Sequence, residues 1–140
     1  YKMKNYLFLV VFAIISFASK AQGLNVKYVQ IKQVYDFQEQ FDEYKINSFL
    51  KHRFEDYGYT VLYDNQDLPD EVKADPCKLL VCNVTRDKST LVTKLNVSLV
   101  NCKKEVVFSS KGESRIKKRE KSHVDALRNA FEYSVLNAKK

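Results

Sequence analysis

From residue 26 to residue 35 apolar and polar positions alternate, with Val29 and Ile31 on one side and Tyr28, Gln30 and Lys32 on the other. That two-residue period predicts a half-buried strand. Between Asp42 and Gly58 the period changes: Ile46, Phe49, Leu50, Phe54 and Tyr57 fall at helical spacing. They predict a helix with Asp42 as its N-cap and Gly58 where a left-handed C-terminal residue belongs. Residues 59–63 are β-branched and aromatic and run into the polar segment Asp64-Asn65-Gln66-Asp67, so they read as a second strand. Residues 68–74 form at most one helical turn, which stops before Pro76.

Residues 79–85 and 90–100 are alternating runs joined by Arg86-Asp87-Lys88-Ser89, the pattern of a β-hairpin. Leu91, Leu95, Val97 and Leu99 share one face of its second strand, opposite Lys94, Asn96 and Ser98, and Leu80, Cys82 and Val84 face the same core. Residues 105–110 supply a fifth strand through Val106, Val107 and Phe108. Ser122 and Asp125 have capping-box spacing ahead of Val124, Leu127, Ala130, Phe131 and Val135, so a second helix starts there or earlier, within residues 117–121. The resulting order is β-α-β-β-β-α. A helical stripe at each end needs a sheet face to bury it, which predicts an α+β fold: a two-layer α/β sandwich with a mostly antiparallel sheet and both helices on one face.

Ahead of these elements Lys2 and Lys4 precede an apolar run, residues 6–18, interrupted only by Ser16, and Ser19 and Ala21 occupy the -3 and -1 positions of a cleavage site. This predicts a secretory signal peptide over residues 1–21 and a single globular domain over residues 22–140. Tyr1 and Lys2 lie before the only methionine, Met3, and are not expected to be native. A run of about 13 residues is short of the ~20 that cross a bilayer, so the mature chain is expected to hold no transmembrane span, and no cysteine follows the site to accept lipid. Loss of Lys2, Lys4 and Lys20 takes the formal charge from +7 to +4. That surplus suits weak attraction to anionic surfaces and is too small to imply nucleic-acid binding.

The leader ending Ala21-Gln22-Gly23, together with Asp75-Pro76-Cys77-Lys78, Val106-Val107-Phe108 and Ala126-Leu127-Arg128-Asn129-Ala130-Phe131, resembles uncharacterised small exported proteins of Bacteroidota-type bacteria. The layout also looks like envelope lipoprotein domains that serve as interaction modules. The resemblance implies an exported location, periplasmic or secreted, and none of its motifs is catalytic.

Three cysteines in an exported chain leave at least one unpaired within the molecule. If Cys82 faces Leu95 across the hairpin, Cys77 and Cys102 lie near one another at its open end, which predicts a Cys77–Cys102 disulfide and a buried Cys82 thiol. The alternative is that all three are small core or surface residues. The two histidines are far apart in sequence and the cysteines lack Cys-x-x-Cys pairing, so no metal site is expected. His52 lies off the apolar stripe of its helix and His123 follows the second N-cap; both are expected to face water. Asp64, Asp67, Asp70 and Glu71 lack the order of a calcium loop, and three glycines in 140 residues build no phosphate-cradling motif. No cofactor is expected. Asn83 and Asn96 satisfy the glycosylation triplet on the wet face of the hairpin, which matters only in a eukaryotic secretory path.

Two surfaces remain. The densest charge run is Arg115, Lys117, Lys118, Arg119 and Lys121, interrupted by Ile116 and Glu120; it is either a solvated helix start or a patch facing an anionic surface or an acidic envelope protein. Tyr35, Tyr57, Tyr59 and Tyr63 are an interface group or, in a chain without tryptophan, the rim of the core. The sequence thus reads as an exported binding or scaffolding domain of the cell envelope that does not catalyse. Its rivals are a periplasmic enzyme with a spatially assembled site and a subunit that adds its sheet edge to a partner.

Overall fold

The computed structural model describes residues 26–88 and 91–132. The predicted leader and Val135 lie outside the described residues. Five strands form one mixed sheet, β1 (Tyr28–Ile31), β2 (Thr60–Tyr63), β3 (Leu79–Arg86), β4 (Thr93–Val100) and β5 (Val106–Ser114), in the spatial order β2-β1-β3-β4-β5. Helix α1 spans Ile46–Asp56, the short α2 spans Asp70–Ala74 and α3 spans Arg119–Glu132. The fold is α+β.

The sheet is not mostly antiparallel. β1 pairs parallel with both β2 and β3, while β3–β4 and β4–β5 are antiparallel. The reason lies in the connections, since a strand joined to its neighbour through a helix returns in the same direction. The chain moves one way from β1 through α1 to β2, then back across β1 to β3. Right-handed crossovers in opposite directions must use opposite faces of the sheet. Accordingly α1 lies on one face and α2 on the other, where the outward-facing Tyr28 donates a hydrogen bond from its hydroxyl to Glu71. Val72 of α2 is buried apart from the main core. The element between β2 and β3 is therefore a real helix that adds to the predicted order.

The core occupies the other face. Val29, Ile31, Leu80, Cys82, Val84, Leu95, Val97 and Leu99 of the sheet meet Ile46, Leu50 and Phe54 of α1 and Ala126, Leu127, Ala130 and Phe131 of α3 in one cluster. Phe131 joins the helices, with its ring 5.5 Å from Phe54 and 6.1 Å from Phe49. α1 ends in a Schellman motif: the Tyr59 N–H donates to the Phe54 carbonyl and the Gly58 N–H to the Glu55 carbonyl, with Gly58 at φ 93° as its position predicts.

Several registers differ from expectation. Cys82 pairs with Leu99, not Leu95, which instead faces Arg86. The slip is four residues, and an even slip keeps every side chain on its face. β3 runs on through Arg86 but β4 starts only at Thr93, so the connection is longer and Leu91 is 91% exposed instead of in the core. β5 extends to Ser114; Val107 is an extra bulged residue between the Leu99–Phe108 and Val100–Val106 pairs, and both Val106 and Val107 are exposed. α3 begins at Arg119, within the earlier window, so Ser122 is not a cap. It is buried inside the helix, donating to the Arg119 carbonyl and accepting from Thr93 Oγ1.

The polar half of β5 exists because α3 lies directly on it. At Gly112 an added Cβ would stand 1.8 Å from the Ala126 carbonyl oxygen, and its same-face neighbours are small: Ser110 donates to the Ala130 carbonyl and Ser114 to Asp125. Asn129 Nδ2 donates to the Glu113 carbonyl at 2.8 Å, taking up one backbone acceptor of this outermost strand.

Candidate functional site

Strands β1, β2, β3 and β5 run in one direction, so the segments that follow them all leave from the same end of the sheet. That end gathers residues 32–45 after β1, Asp64 to Asp67 after β2, Arg86 and Asp87 at the end of β3, and the basic run after β5. The Cys77–Cys102 disulfide closes the opposite end, with Cα atoms 4.8 Å apart. Cys82 is the free, buried thiol, and burial pushes it up to about 12.

The basic run lies in water. Arg115, Lys117, Lys118, Arg119 and Lys121 are all exposed, and none of them forms an ion pair among the described residues. No acidic side chain lies outside those residues either. Outside the run Lys27 and Lys78 share Glu71, Lys94 meets Glu113, Lys111 meets Asp87 and Arg128 meets Asp125, while the remaining lysines and arginines form no ion pair among the described residues. Lys118 and Lys121 continue into an open groove of about 510 Å³ along the outer side of α3. Ile116, 44% exposed, and Val124 supply its apolar surface; Arg128 adds a cation that the sequence pattern did not single out. Val124 therefore lies in this groove, not in the core stripe. Glu120 and Asp125 also line it.

Beside the start of α3 a cluster of aromatic and charged side chains surrounds His123. His123 is buried, 3% exposed, against the expectation that it faces water. His123 lies three and four residues before Ala126 and Leu127, so it extends the buried stripe of α3 by one turn. Its ring lies 3.9 Å from Tyr44, nearly parallel, and 6.0 Å from Phe37, which in turn lies 6.3 Å from Tyr35. Nδ1 is 2.6 Å from the Arg119 carbonyl oxygen and Nε2 is 3.2 Å from Arg86 Nη1, whose guanidinium also sits 5.5 Å over Phe37. Burial is the main cause that holds the imidazole below its ordinary range; the Arg119 carbonyl opposes that effect and Arg86 reinforces it.

The turn that presents Tyr44 is backbone of an uncommon kind. Asp42, Tyr44 and Lys45 have φ of 57°, 59° and 58°, left-handed values that non-glycine residues rarely adopt. A buried amide network holds them: Asn47 Oδ1 accepts from Gln38 Nε2 and the Asp42 N–H, while its Nδ2 donates to the carbonyls of Lys32 and Gln33. Asp42 is not the N-cap of α1, a position held by Lys45, but its carboxylate reaches from across the turn to accept from the Ser48 N–H and hydroxyl.

The other sequence candidates lie elsewhere. Tyr35 is buried and donates to the Cys82 carbonyl, and Tyr57, Tyr59 and Tyr63 pack at the edge of the core. His52 is exposed beside Asp56. Asp64 accepts from the Gln33 N–H, and among the described residues no group of three or more His, Cys, Asp or Glu side chains is placed to hold a metal ion. Asn83 and Asn96 are on the sheet face opposite the core, where Asn96 donates to Asp87; that bond and Lys111 hold the Asp87 carboxyl below the usual range. No helix among the described residues is long and apolar enough to cross a membrane.

No protein-family profile matches the chain, and no curated protein matches it. Solved structures similar to it include a variant PelC dodecamer from Paraburkholderia phytofirmans, 15% identical over 72% of this chain and 82% of that chain with a TM-score of 0.45. A second crystal form of the PelC dodecamer is 14% identical over 72% and 81%, with a TM-score of 0.43.

Proposed function

We propose that the chain is an exported, non-catalytic binding or scaffolding domain of a bacterial cell envelope whose basic end faces an anionic surface. One observation carries this reading: five exposed cations crowd into residues 115–121 around a single carboxylate, Glu120, and none of them forms an ion pair among the described residues. Unpaired like charges so close together repel one another, and a nearby anionic surface relieves that repulsion. The disulfide favours an oxidising compartment, which agrees with the leader read from residues 1–21. The architecture suits the role when read as two layers, α1 and α3 on one face and most of the opposite face left as polar sheet.

Co-sedimentation with vesicles rich in anionic phospholipid tests the proposal. Each cation near such a surface contributes about 1 kcal/mol, so reversing three in Lys117→Glu, Lys118→Glu and Arg119→Glu should weaken binding at low salt about a hundredfold or more. Native binding should also fade at physiological salt as screening shortens the reach of the field. Equal sedimentation of the two proteins at low salt would reduce the run to an ordinary solvated helix start.

A further inference from the structure

We propose that His123 is a proton-operated latch: while its Nε2 is bare it holds the turn at residues 42–45 closed against α3, and protonation of that nitrogen releases the turn. The hydrogen bonds assign the tautomer from both sides. The Arg119 carbonyl oxygen, 2.6 Å from Nδ1, can only accept, so Nδ1 carries the hydrogen. The Arg86 guanidinium, 3.2 Å from Nε2, can only donate, so Nε2 offers its lone pair. Both ring nitrogens are satisfied in the neutral form alone.

A proton added to Nε2 from solvent converts that bond into donor against donor and cation against cation. The charged groups around the ring come from three elements. Arg86 at the end of β3 and Arg119 on α3 oppose the imidazolium, whereas Glu43 in the turn favours it. Phe37, Tyr44, Ser122 and Thr93 bring no charge, and the near-complete burial of the ring adds to the opposition. The charged ring therefore has to leave its place, or Arg86 does.

Either movement is transmitted to the turn, because Tyr44 stacks face to face on the ring at 3.9 Å and 9°. Tyr44 is also one of the three left-handed residues, so its backbone gains by relaxing once the ring contact is lost. The turn borders a hollow of about 380 Å³ lined by Tyr44, Lys45, Arg119 and Glu120. Opening it would reshape the surface beside the basic run. The direction in pH follows from linkage: the folded imidazole takes its proton at lower pH than an unfolded one, so the unfolded and opened states bind more protons. The closed state is fully held above the ordinary imidazole value of about 6.5 and is lost as pH falls below it.

Imidazole NMR with amide hydrogen exchange on the full chain tests this. The chain has two histidines, so exposed His52 supplies the second ring signal. At pH 7 His123 should show the Nδ1–H tautomer. It should titrate below about 6.5, and exchange across residues 40–48, corrected for its intrinsic pH dependence, should rise tenfold or more through the His123 midpoint. His123→Gln, which keeps a neutral donor and acceptor, should remove that rise. An Nε2–H tautomer, a midpoint at or above that of a free imidazole, exchange that is flat through the midpoint, or an equal rise in the glutamine variant would each overturn the latch. Should the variant fail to fold, the tautomer, midpoint and exchange of the native chain decide alone.

Discussion

Gly112 shows what one position can require of the whole packing arrangement. Its φ is not the reason for glycine; the absent Cβ is, since that atom would stand 1.8 Å from the Ala126 carbonyl oxygen and 2.5 Å from the Ala130 nitrogen. Neither contact can be relieved by a rotamer change, because both are helix backbone. Gly112→Ala should therefore push α3 off β5 and lower unfolding stability by about 3 kcal/mol, the upper range of overpacking penalties, as read by urea denaturation. A loss below about 1 kcal/mol would mean that α3 shifts with little resistance. Nothing around residue 112 announces this in sequence, because the demand comes from a helix that begins seven residues later. The same holds for His123. Its partners Arg86 and Tyr44 lie 37 and 79 positions away in the chain, whereas Gly58 was legible because a helix end is local chemistry.

At the scale of elements, legibility follows how local the cause is. The stripe Ile46, Leu50, Phe54 and the alternation Val29, Ile31 declare themselves by period, and both lie where their spacing put them. Parallel pairing of β1 was hidden because direction is set by where the chain crosses the sheet, not by any residue of the strand. The hairpin register was missed by four residues, an even slip that cost nothing in facing, and so the disulfide was legible from a slightly wrong premise. With Cys82 opposite Leu99, continuing the antiparallel pairing sets Cys102 opposite Leu79, close to Cys77. The bond closes a separation of 25 residues and, on the chain-entropy account, stabilises by about 3.5 kcal/mol. Urea unfolding with and without reductant should differ by about that amount while Cys82, which forms no bond, contributes nothing to the difference. An unchanged midpoint would show that the unfolded chain is already compact around residues 77–102.

Across the whole molecule the charge is arranged along the sheet as well as summed. Asp64 and Asp67 follow β2 at one edge, and the basic run follows β5 at the other edge of the same end. Lys103 and Lys104 sit in an exposed turn beside the disulfide, at the far end. Net charge alone would let the chain meet an anionic surface in any orientation; this separation selects one, with the β5 edge inward and the β2 edge and disulfide turned away. Lysine acetylation on vesicle-bound protein distinguishes the two cases within a single sample. Lys117, Lys118 and Lys121 should lose reactivity several-fold relative to the free chain, Lys103 and Lys104 should keep theirs, and raising the salt should restore the first group. Uniform protection of all five lysines would mean that attraction is governed by the overall surplus of positive charge, and the unpaired run would then have no special claim to the surface.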